Sequence, residues 1–260
     1  MDFLKTDLIQ LGQMIRMRAY NLMMATRYNN PDLKKANLDL EELKECLLEW
    51  ESRSFPDGTD KQWAYSVIDI FEKWKDHPIP IKKSLTVTRE LPDLGSVMNL
   101  IQTRRSIRLW QKKNVDKDII RTILEAGIYA PTAFNRMPWR FFVTEDPEYD
   151  KEPDLTNDSM VKNAPVKIYV GTDERLFFEQ YSGPLDSALA MQNMMLASHA
   201  AGLGTCLVYQ GEFSDKQMLK EKYKIPDHIN IYCVILLGYP AEQPDTPVRM
   251  SIDEITEFIK

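Results

Sequence analysis

Residues 130–141 read APTAFNRMPWRF and connect a predicted helix at 116–130 to a predicted strand at 140–144. Prolines stand at both ends of this connection, and prolines are typical of turns. Within it, Thr132 and Asn135 can offer hydrogen-bonding groups to a neighbouring molecule. The corner is therefore either an ordinary structural turn or a site that holds a flat, polar ligand.

The chain after residue 93 alternates helical runs with short runs of β-branched and aromatic residues. The predicted helices lie at 94–104, 116–130 and 184–201, and the predicted strands at 140–144, 166–170, 205–209 and 231–237. Asp116 is the predicted N-cap of the second helix, and Gly202 closes the third. The last strand is continuously apolar, which is typical of the centre of a sheet. Residues 145–163 are acidic and rich in turn formers, so we expect an exposed connection there.

The first part of the chain is predicted to be entirely helical. The predicted helices lie at 3–27, 40–52 and 61–75. The sequence His77-Pro78-Ile79-Pro80 stops the third of them, and we expect a boundary between residues 78 and 96. The chain is therefore divided into an N-terminal helical extension at 1–92 and a second domain at 93–260.

The composition is ordinary for a soluble globular protein, with 43% hydrophobic and 28% charged residues. The formal net charge of −6 argues against non-specific nucleic-acid binding, which needs a basic surface. No apolar run is long enough to span a membrane, and residues 1–5 lack the layout of a secretory signal. Three cysteines and three histidines are scattered without metal-binding spacing. We therefore expect reduced thiols, no metal centre and a cytoplasmic location.

Three arginines fall within five residues in the stretch Thr103-Arg104-Arg105-Ser106-Ile107-Arg108. Guanidinium groups can hold a phosphate through paired hydrogen bonds, and the serine adds a small donor. The alternative is a solvated basic helix end, which the spacing alone favours.

Residues 201–211 read AGLGTCLVYQG, where two early glycines permit a tight passage from helix to strand. Gly211 can leave a backbone amide free after the strand. Neither a dinucleotide-binding fingerprint nor a P-loop is present, so an ordinary connection is the alternative. The sequence supports no Ser-His-Asp or Cys-His arrangement.

Taken in order, these stretches resemble the nitroreductase family of flavin enzymes. The family's Arg-Arg-Ser-x-Arg pattern appears at 104–108, and its Ala-Pro-Ser-x-x-Asn-x-Gln-Pro-Trp motif appears at 130–139. The family's helix followed by Gly-Leu-Gly-Thr-Cys matches residues 186–206. The C-terminal end of the family pattern resembles Leu-Gly-Tyr-Pro at 237–240. The resemblance spans about residues 96 to 250.

The resemblance implies an α+β fold, with a mixed β-sheet sandwiched by helices, that binds FMN at the interface of a homodimer. Three groups of residues are implied to bind the cofactor. The phosphate, the ribityl chain and the ring edge would be held by Arg104, Arg105, Ser106, Arg108 and Arg249. The partner subunit would contribute Pro131, Thr132, Ala133 and Asn135. The backbone beside the flavin ring would be that of Val208, Tyr209, Gln210 and Gly211.

The implied activity is FMN-dependent transfer of hydride from NADH or NADPH to an oxidised acceptor, such as a nitroaromatic compound or a quinone, by a ping-pong mechanism. FMN carries the redox chemistry, so no catalytic side chain is assigned. One alternative is a specialised relative that reduces an enone, cleaves the flavin or removes a halogen. Another is a flavin-binding module without turnover. Residues 1–92 match nothing in the family core and are expected to wrap the dimer, or to act as a lid or a docking site.

Several positions depart from the family pattern. Met137 stands where the family has glutamine, and Thr132 stands where it has serine, so we expect altered polar contacts to the cofactor. Phe134 and Arg136 are expected to narrow the site and to add positive charge, which favours an anionic acceptor. The connection at 145–163 is short for a substrate-covering lid, which disfavours dehalogenation.

Overall fold

Three helices form the first part of the chain: α1 (Leu8–Ala25), α2 (Leu33–Ser52) and α3 (Thr59–Trp74). They pack around an apolar core of their own, in which Leu11, Leu43 and Phe71 are fully buried. The prediction of an all-helical first part is confirmed for the residues described. The structure is a computed structural model that describes residues 6–28, 31–79, 90–145, 159–176, 179, 181–209 and 216–259.

The second helix begins earlier than the sequence pattern predicts, at Leu33 rather than at residue 40. The Asp32 carboxylate accepts a hydrogen bond from the Lys35 amide and so caps the helix. Pro31 and Asp32, whose composition is typical of a turn, therefore stand directly at the start of a helix.

The rest of the chain mixes helices and strands, as predicted. The helices are α4 (Leu94–Thr103), α5 (Lys117–Ile128), α6 (Ser159–Asn163), α7 (Ser182–Ala200), α8 (Lys216–Tyr223) and α9 (Ile252–Ile255). The strands are β1 (Trp139–Thr144), β2 (Val166–Asp173), β3 (Gly204–Tyr209) and β4 (Ile229–Gly238). Asp116 caps α5 by accepting a hydrogen bond from the Asp118 amide, which confirms that prediction. The sequence pattern did not predict α6, α8 and α9.

The four strands form one sheet in the order β1-β2-β4-β3, and each of these pairings is antiparallel. Strand β4 lies inside the sheet, as its apolar run predicted. Helices α5 and α7 pack on one face, where Ile123 and Met194 meet Ile235. Helix α8 packs on the other face, where Leu219 meets Val234. The predicted α+β sandwich is confirmed, and a parallel bridge between Ser106 and Thr205 adds parallel pairing to it.

Ion pairs join the N-terminal helices to the sheet. The Arg175 guanidinium donates to the carboxylate of Asp7 at 3.0 Å and to that of Asp173 at 2.5 Å. Asp7 is the N-cap of α1, and Asp173 is the fully buried last residue of β2. The first turn of α1 is thereby tied to one end of the sheet.

Two predicted connections lie partly outside the described residues. The expected boundary between 78 and 96 includes residues 80–89, and the expected exposed connection at 145–163 includes residues 146–158. The last part of the second connection is not an exposed loop. It forms α6, and Val161 is buried against the sheet.

Candidate functional site

The arginine-rich stretch leaves α4 in an extended conformation and runs beside the start of β3. Arg104 has an extended backbone and ends the helix, and Ser106 forms a parallel bridge with Thr205. The Ile107 amide donates to the Thr205 carbonyl at 2.9 Å. A Cβ atom on Gly204 would lie 2.5 Å from Cγ1 of Ile107, so the close approach of the two strands requires glycine there. The arginine and glycine motifs, about a hundred residues apart in the chain, are thus neighbours.

A cavity of about 350 Å³ lies where these motifs meet. It has walls from the end of α4, the end of α7, the start of β3 and the segment that follows β4. Its charged and titratable lining residues are Arg104, Arg105, His199 and Glu242. This size and mixture of groups suit part of a polar small molecule.

The cavity concentrates positive charge. Burial lowers the pKa of Arg104, and the positive charges of Arg105 and Arg249 lower it further. In the described part of the chain, no carboxylate forms an ion pair with any of these three arginines. Arg105 instead donates to the carbonyl of Gln102 at 2.6 Å and to the hydroxyl of Thr246 at 2.7 Å. Arg104 and Arg105 in the cavity wall, with the charge of Arg249 nearby, suit a phosphate dianion.

Glu242 holds the other end of the arginine motif. Its Oε1 atom accepts hydrogen bonds from the backbone amides of Arg108 and, at 2.9 Å, of Leu109. The Arg108 side chain is exposed, and its guanidinium makes a long contact of 3.5 Å with the Ser106 carbonyl. The backbone at Arg108 is therefore fixed while its guanidinium is available to a ligand.

His199 also lines this cavity, although the sequence reasoning treated it as one of three scattered histidines. Thr103 Oγ1 donates to the Asn99 carbonyl at 2.6 Å, so it must accept from His199 Nε2 at 2.8 Å. Burial lowers the pKa of His199, and the charges of Arg104 and Arg105 lower it further. His199 lies in the last turn of α7, just before Gly202 and Gly204, and this position in the sequence could have identified it as a candidate site residue.

We expect the protein without a bound anion to lose stability as the pH falls below 6.5, the ordinary pKa of histidine. The pKa of His199 is lower than this in the folded state, so the unfolded chain takes up a proton first and acid favours unfolding. His199→Asn should remove this part of the pH dependence. The urea midpoint of both proteins, measured between about pH 7.5 and about pH 5.5, checks this. Equal changes in midpoint for the two proteins would show that His199 has no such role.

The corner at 130–139 has an unusual backbone. Among the described non-glycine residues, positive φ angles occur at Phe134 (53°), Asn135 (55°) and Met137 (51°) and at only two other positions. Left-handed conformations are uncommon for such residues and cost about 1–2 kcal/mol each. The corner is therefore held in place by contacts from outside it.

Helix α7 supplies some of these contacts. The Thr132 hydroxyl donates to the Asp186 carboxylate at 2.6 Å, and the Trp139 indole donates to the Asp186 carbonyl at 2.8 Å. Asp186 is almost fully buried, and burial raises the pKa of its carboxyl group. Both ends of the corner are thus attached to one residue of α7.

Helix α1 supplies the others. Gln13 is buried, and its amide donates to the Met137 carbonyl at 3.3 Å. The Arg16 guanidinium donates to the Arg136 carbonyl at 3.4 Å. The N-terminal helices therefore help to hold the corner, which the sequence reasoning did not predict.

The structure does not bring the corner and the arginine cluster to one cavity within a single chain. Pro131, Thr132 and Ala133 line a separate cavity of about 420 Å³ together with Leu185 and other residues of α7. None of the residues that line the arginine cavity belongs to the corner.

The remaining predicted residues have different outcomes. Val208 is half-buried and Tyr209 is exposed at the end of β3, whereas Gln210 and Gly211 lie outside the described residues. The expectation that Arg136 adds positive charge to the site is wrong. Its side chain is 2% exposed and pairs with Glu179 at 2.9 Å.

Cys46, Cys206 and Cys233 are free and buried. In the part of the chain that the structure describes, no helix is long and apolar enough to cross a membrane. The same residues contain no group of three or more acidic, histidine or cysteine side chains placed to hold a metal ion.

Comparison with known proteins gives a consistent result for the second part of the chain. The sequence model described as "Nitroreductase family" matches residues 101–157 and 148–239, which together exceed half of the chain. A relative from Methanothermobacter thermautotrophicus, named "Putative NADH dehydrogenase/NAD(P)H nitroreductase", is 38% identical over 164 residues, or 61% of this chain and 85% of that protein. An "NADH dehydrogenase" from Thermus thermophilus is 25% identical over 188 residues, or 58% of this chain and 90% of that protein.

A solved structure extends the comparison to the fold. It is the structure from Desulfovibrio desulfuricans described as a "putative nitroreductase in complex with fmn". It is 30% identical to this chain, with a TM-score of 0.56, and the match covers 66% of this chain and 100% of that one.

Proposed function

The chain belongs to the nitroreductase family, and we propose on this basis that it is an FMN-dependent oxidoreductase. It would transfer electrons from NADH or NADPH to an oxidised acceptor such as a nitroaromatic compound or a quinone. The observation that carries the proposal is the cavity beside the arginine motif, where Arg104 and Arg105 form no ion pair with a carboxylate of the described residues. The FMN-bound relative and the relatives named for NAD(P)H support the same cofactor and reductant.

The residues around this cavity suit FMN. Arg104, Arg105 and Arg249 would bind the phosphate, and Ser106 would add a hydroxyl donor. Glu242 fixes the backbone from which Arg108 would reach the ring edge. The end of β3, at Val208 and Tyr209, would lie beside the ring. When bound, FMN supplies the hydride and electron transfer that no side chain of the protein can perform, so no catalytic side chain is proposed.

We also propose that the protein is a homodimer whose partner subunit completes each site. Large apolar side chains are exposed on three segments, and α4 buries none of its residues. They include Leu94 and Ile101 on α4, Leu185 and Leu189 on α7, and Ile255 and Phe258 near the C-terminal end. Exposed apolar surface of this extent is typical of an interface. A two-fold axis would place the corner of one subunit against the arginine cavity of the other.

The division of the chain into an extension at 1–92 and an FMN-binding domain at 93–260 belongs to this proposal, as does a cytoplasmic location. Two observations support the division. The family match begins at residue 101, and helices α1 to α3 have a core of their own. The contacts from Gln13 and Arg16 to the corner give the extension a supporting role at the site.

The activity is tested by loading the purified protein with FMN and measuring the oxidation of NADH and NADPH, each with menadione and with nitrobenzene. We expect oxidation that depends on an acceptor and exceeds that of free FMN at the same concentration. Initial rates at several concentrations of both substrates should give parallel double-reciprocal lines, because a ping-pong mechanism releases the first product before the second substrate binds. A protein that retains FMN but oxidises neither nucleotide above the free-FMN control would be a flavin-binding module.

A further inference from the structure

A second large cavity, of about 530 Å³, lies between α1, the start of α2 and the corner. Its volume lies within the range of small-molecule sites and is enough for a molecule of one or two rings. It is separate from the arginine cavity, and most of its wall comes from the N-terminal helices, which lie outside the family match. Ala133 and Phe134 of the corner form the rest of its wall.

Three aromatic side chains contribute to the wall of this cavity. Tyr20, Tyr28 and Phe134 line it, and Met24 adds a polarisable thioether. Phe134 is 46% exposed although its backbone has a positive φ angle of 53°. A bulky residue in this conformation is a true outlier, and such strain is concentrated at functional sites. The left-handed backbone of Phe134 is energetically unfavourable, and the ring that it positions lies beside the cavity rather than in the buried core.

One polar group in the wall lacks a full set of hydrogen bonds. Asp39 is 4% exposed, and its Oδ1 atom accepts from Arg18 at 2.6 Å and from Asn21 at 3.2 Å. Among the described residues, nothing donates to its Oδ2 atom. Because Asp39 belongs to the cavity wall, this carboxylate oxygen can accept a hydrogen bond from a ligand with an O–H or N–H group, and hydrogen bonds to charged acceptors are the strong ones.

The charges around the cavity largely offset one another. Arg18 pairs with Asp39 and with Glu42. Lys35 and Asp32, both exposed, stand at adjacent turns of the rim. These groups leave one excess negative charge at the cavity, which disfavours an anion and favours a ligand with a hydrogen-bond donor.

We propose that this cavity binds a planar aromatic molecule that carries an O–H or N–H donor. The rings of Tyr20 and Phe134 pack against the aromatic plane, and Asp39 Oδ2 accepts the hydrogen bond. This molecule is the oxidised acceptor, a step that rests on the proposed function because the corner would lie against the partner subunit's cofactor. The N-terminal helices are then the element that selects the acceptor.

The test uses FMN-loaded protein and two probes that differ in one donor, 4-nitroaniline and nitrobenzene. Isothermal titration calorimetry should give tighter binding for 4-nitroaniline. Met24→Trp fills the cavity with an indole and should weaken the binding of both probes about tenfold or more, because the interior cannot hold both rings. Asp39→Asn should weaken 4-nitroaniline about fivefold through the lost charge-assisted hydrogen bond and leave nitrobenzene unchanged. Arg18 keeps Glu42 as its partner in that variant.

Leu48→Ala, on the exposed side of α2, is the matched control and should change neither affinity. In steady-state assays, Met24→Trp should raise the KM for 4-nitroaniline and leave the KM for NADH and the rate with ferricyanide unchanged. Unaltered binding of both probes in Met24→Trp would overturn the proposal, and so would equal losses for both probes in Asp39→Asn. Failure of the proposed function is a separate result, in which the wild-type protein does not oxidise NADH even with ferricyanide.

Discussion

Arg104→Ala is expected to give a folded protein that binds FMN about 10- to 100-fold more weakly than the wild type. A hydrogen bond to a charged group contributes about 1.5–3 kcal/mol, which corresponds to that change in Kd. Arg104 has the clearest role because it is half-buried and its charge lies beside those of Arg105 and Arg249. The same repulsion means that the FMN-free variant should be at least as stable as the FMN-free wild type.

FMN affinity is measured by fluorescence titration, and stability by thermal unfolding of the FMN-free proteins. Arg108→Ala should weaken binding in the same direction, since its exposed guanidinium is available to a ligand. Arg121→Ala is the matched control, because Arg121 is an exposed arginine on α5 away from the cavity. Full retention of FMN by both Arg104→Ala and Arg108→Ala would contradict the assignment of the phosphate site.

The double variant Leu185→Glu/Leu189→Glu is expected to be monomeric and to lose most of its FMN. The two leucines are one helical turn apart on α7, are 62% and 44% exposed, and line the cavity beside Thr132. In a homodimer they would be buried, and an unpaired carboxylate at an interface costs several kcal/mol. FMN binding would fall with dimerisation because the partner subunit's corner would no longer complete the site.

Sedimentation velocity gives the oligomeric state, and the flavin absorbance per chain gives the FMN content. Leu48→Glu, which adds a carboxylate at an exposed leucine on α2, should remain dimeric and retain FMN. A double variant that stays dimeric with full FMN content would place the interface elsewhere. A monomer with full FMN content would show that one chain forms the whole site.

The elements of the fold were largely predictable because their signals are local. Asp116 and the run at 231–237 marked a helix start and a central strand, and both predictions are confirmed. Helix α8 was missed because it is highly polar and buries only Leu219. The start of α2 was missed because Pro31-Asp32 has the composition of a turn, and only the bond from Asp32 to the Lys35 amide identifies it as a cap.

The site was predictable only in part, because its geometry depends on contacts between distant residues. The arginine motif could be recognised in the sequence. Its contact with His199 could not, because it arises from packing at the end of α7. The bond from Gln13 to Met137 joins residues from opposite sides of the predicted domain boundary. Arg136 was misassigned because its side chain is directed into the protein, where it pairs with Glu179. Local sequence does not encode that direction.

The visible absorption spectrum of the purified protein, recorded after incubation with FMN and removal of the excess, tests the central proposal most directly. The proposed FMN site predicts a flavin spectrum with about one FMN per chain, which bleaches when NADH or NADPH is added without oxygen. A colourless protein that takes up no FMN would contradict the proposal.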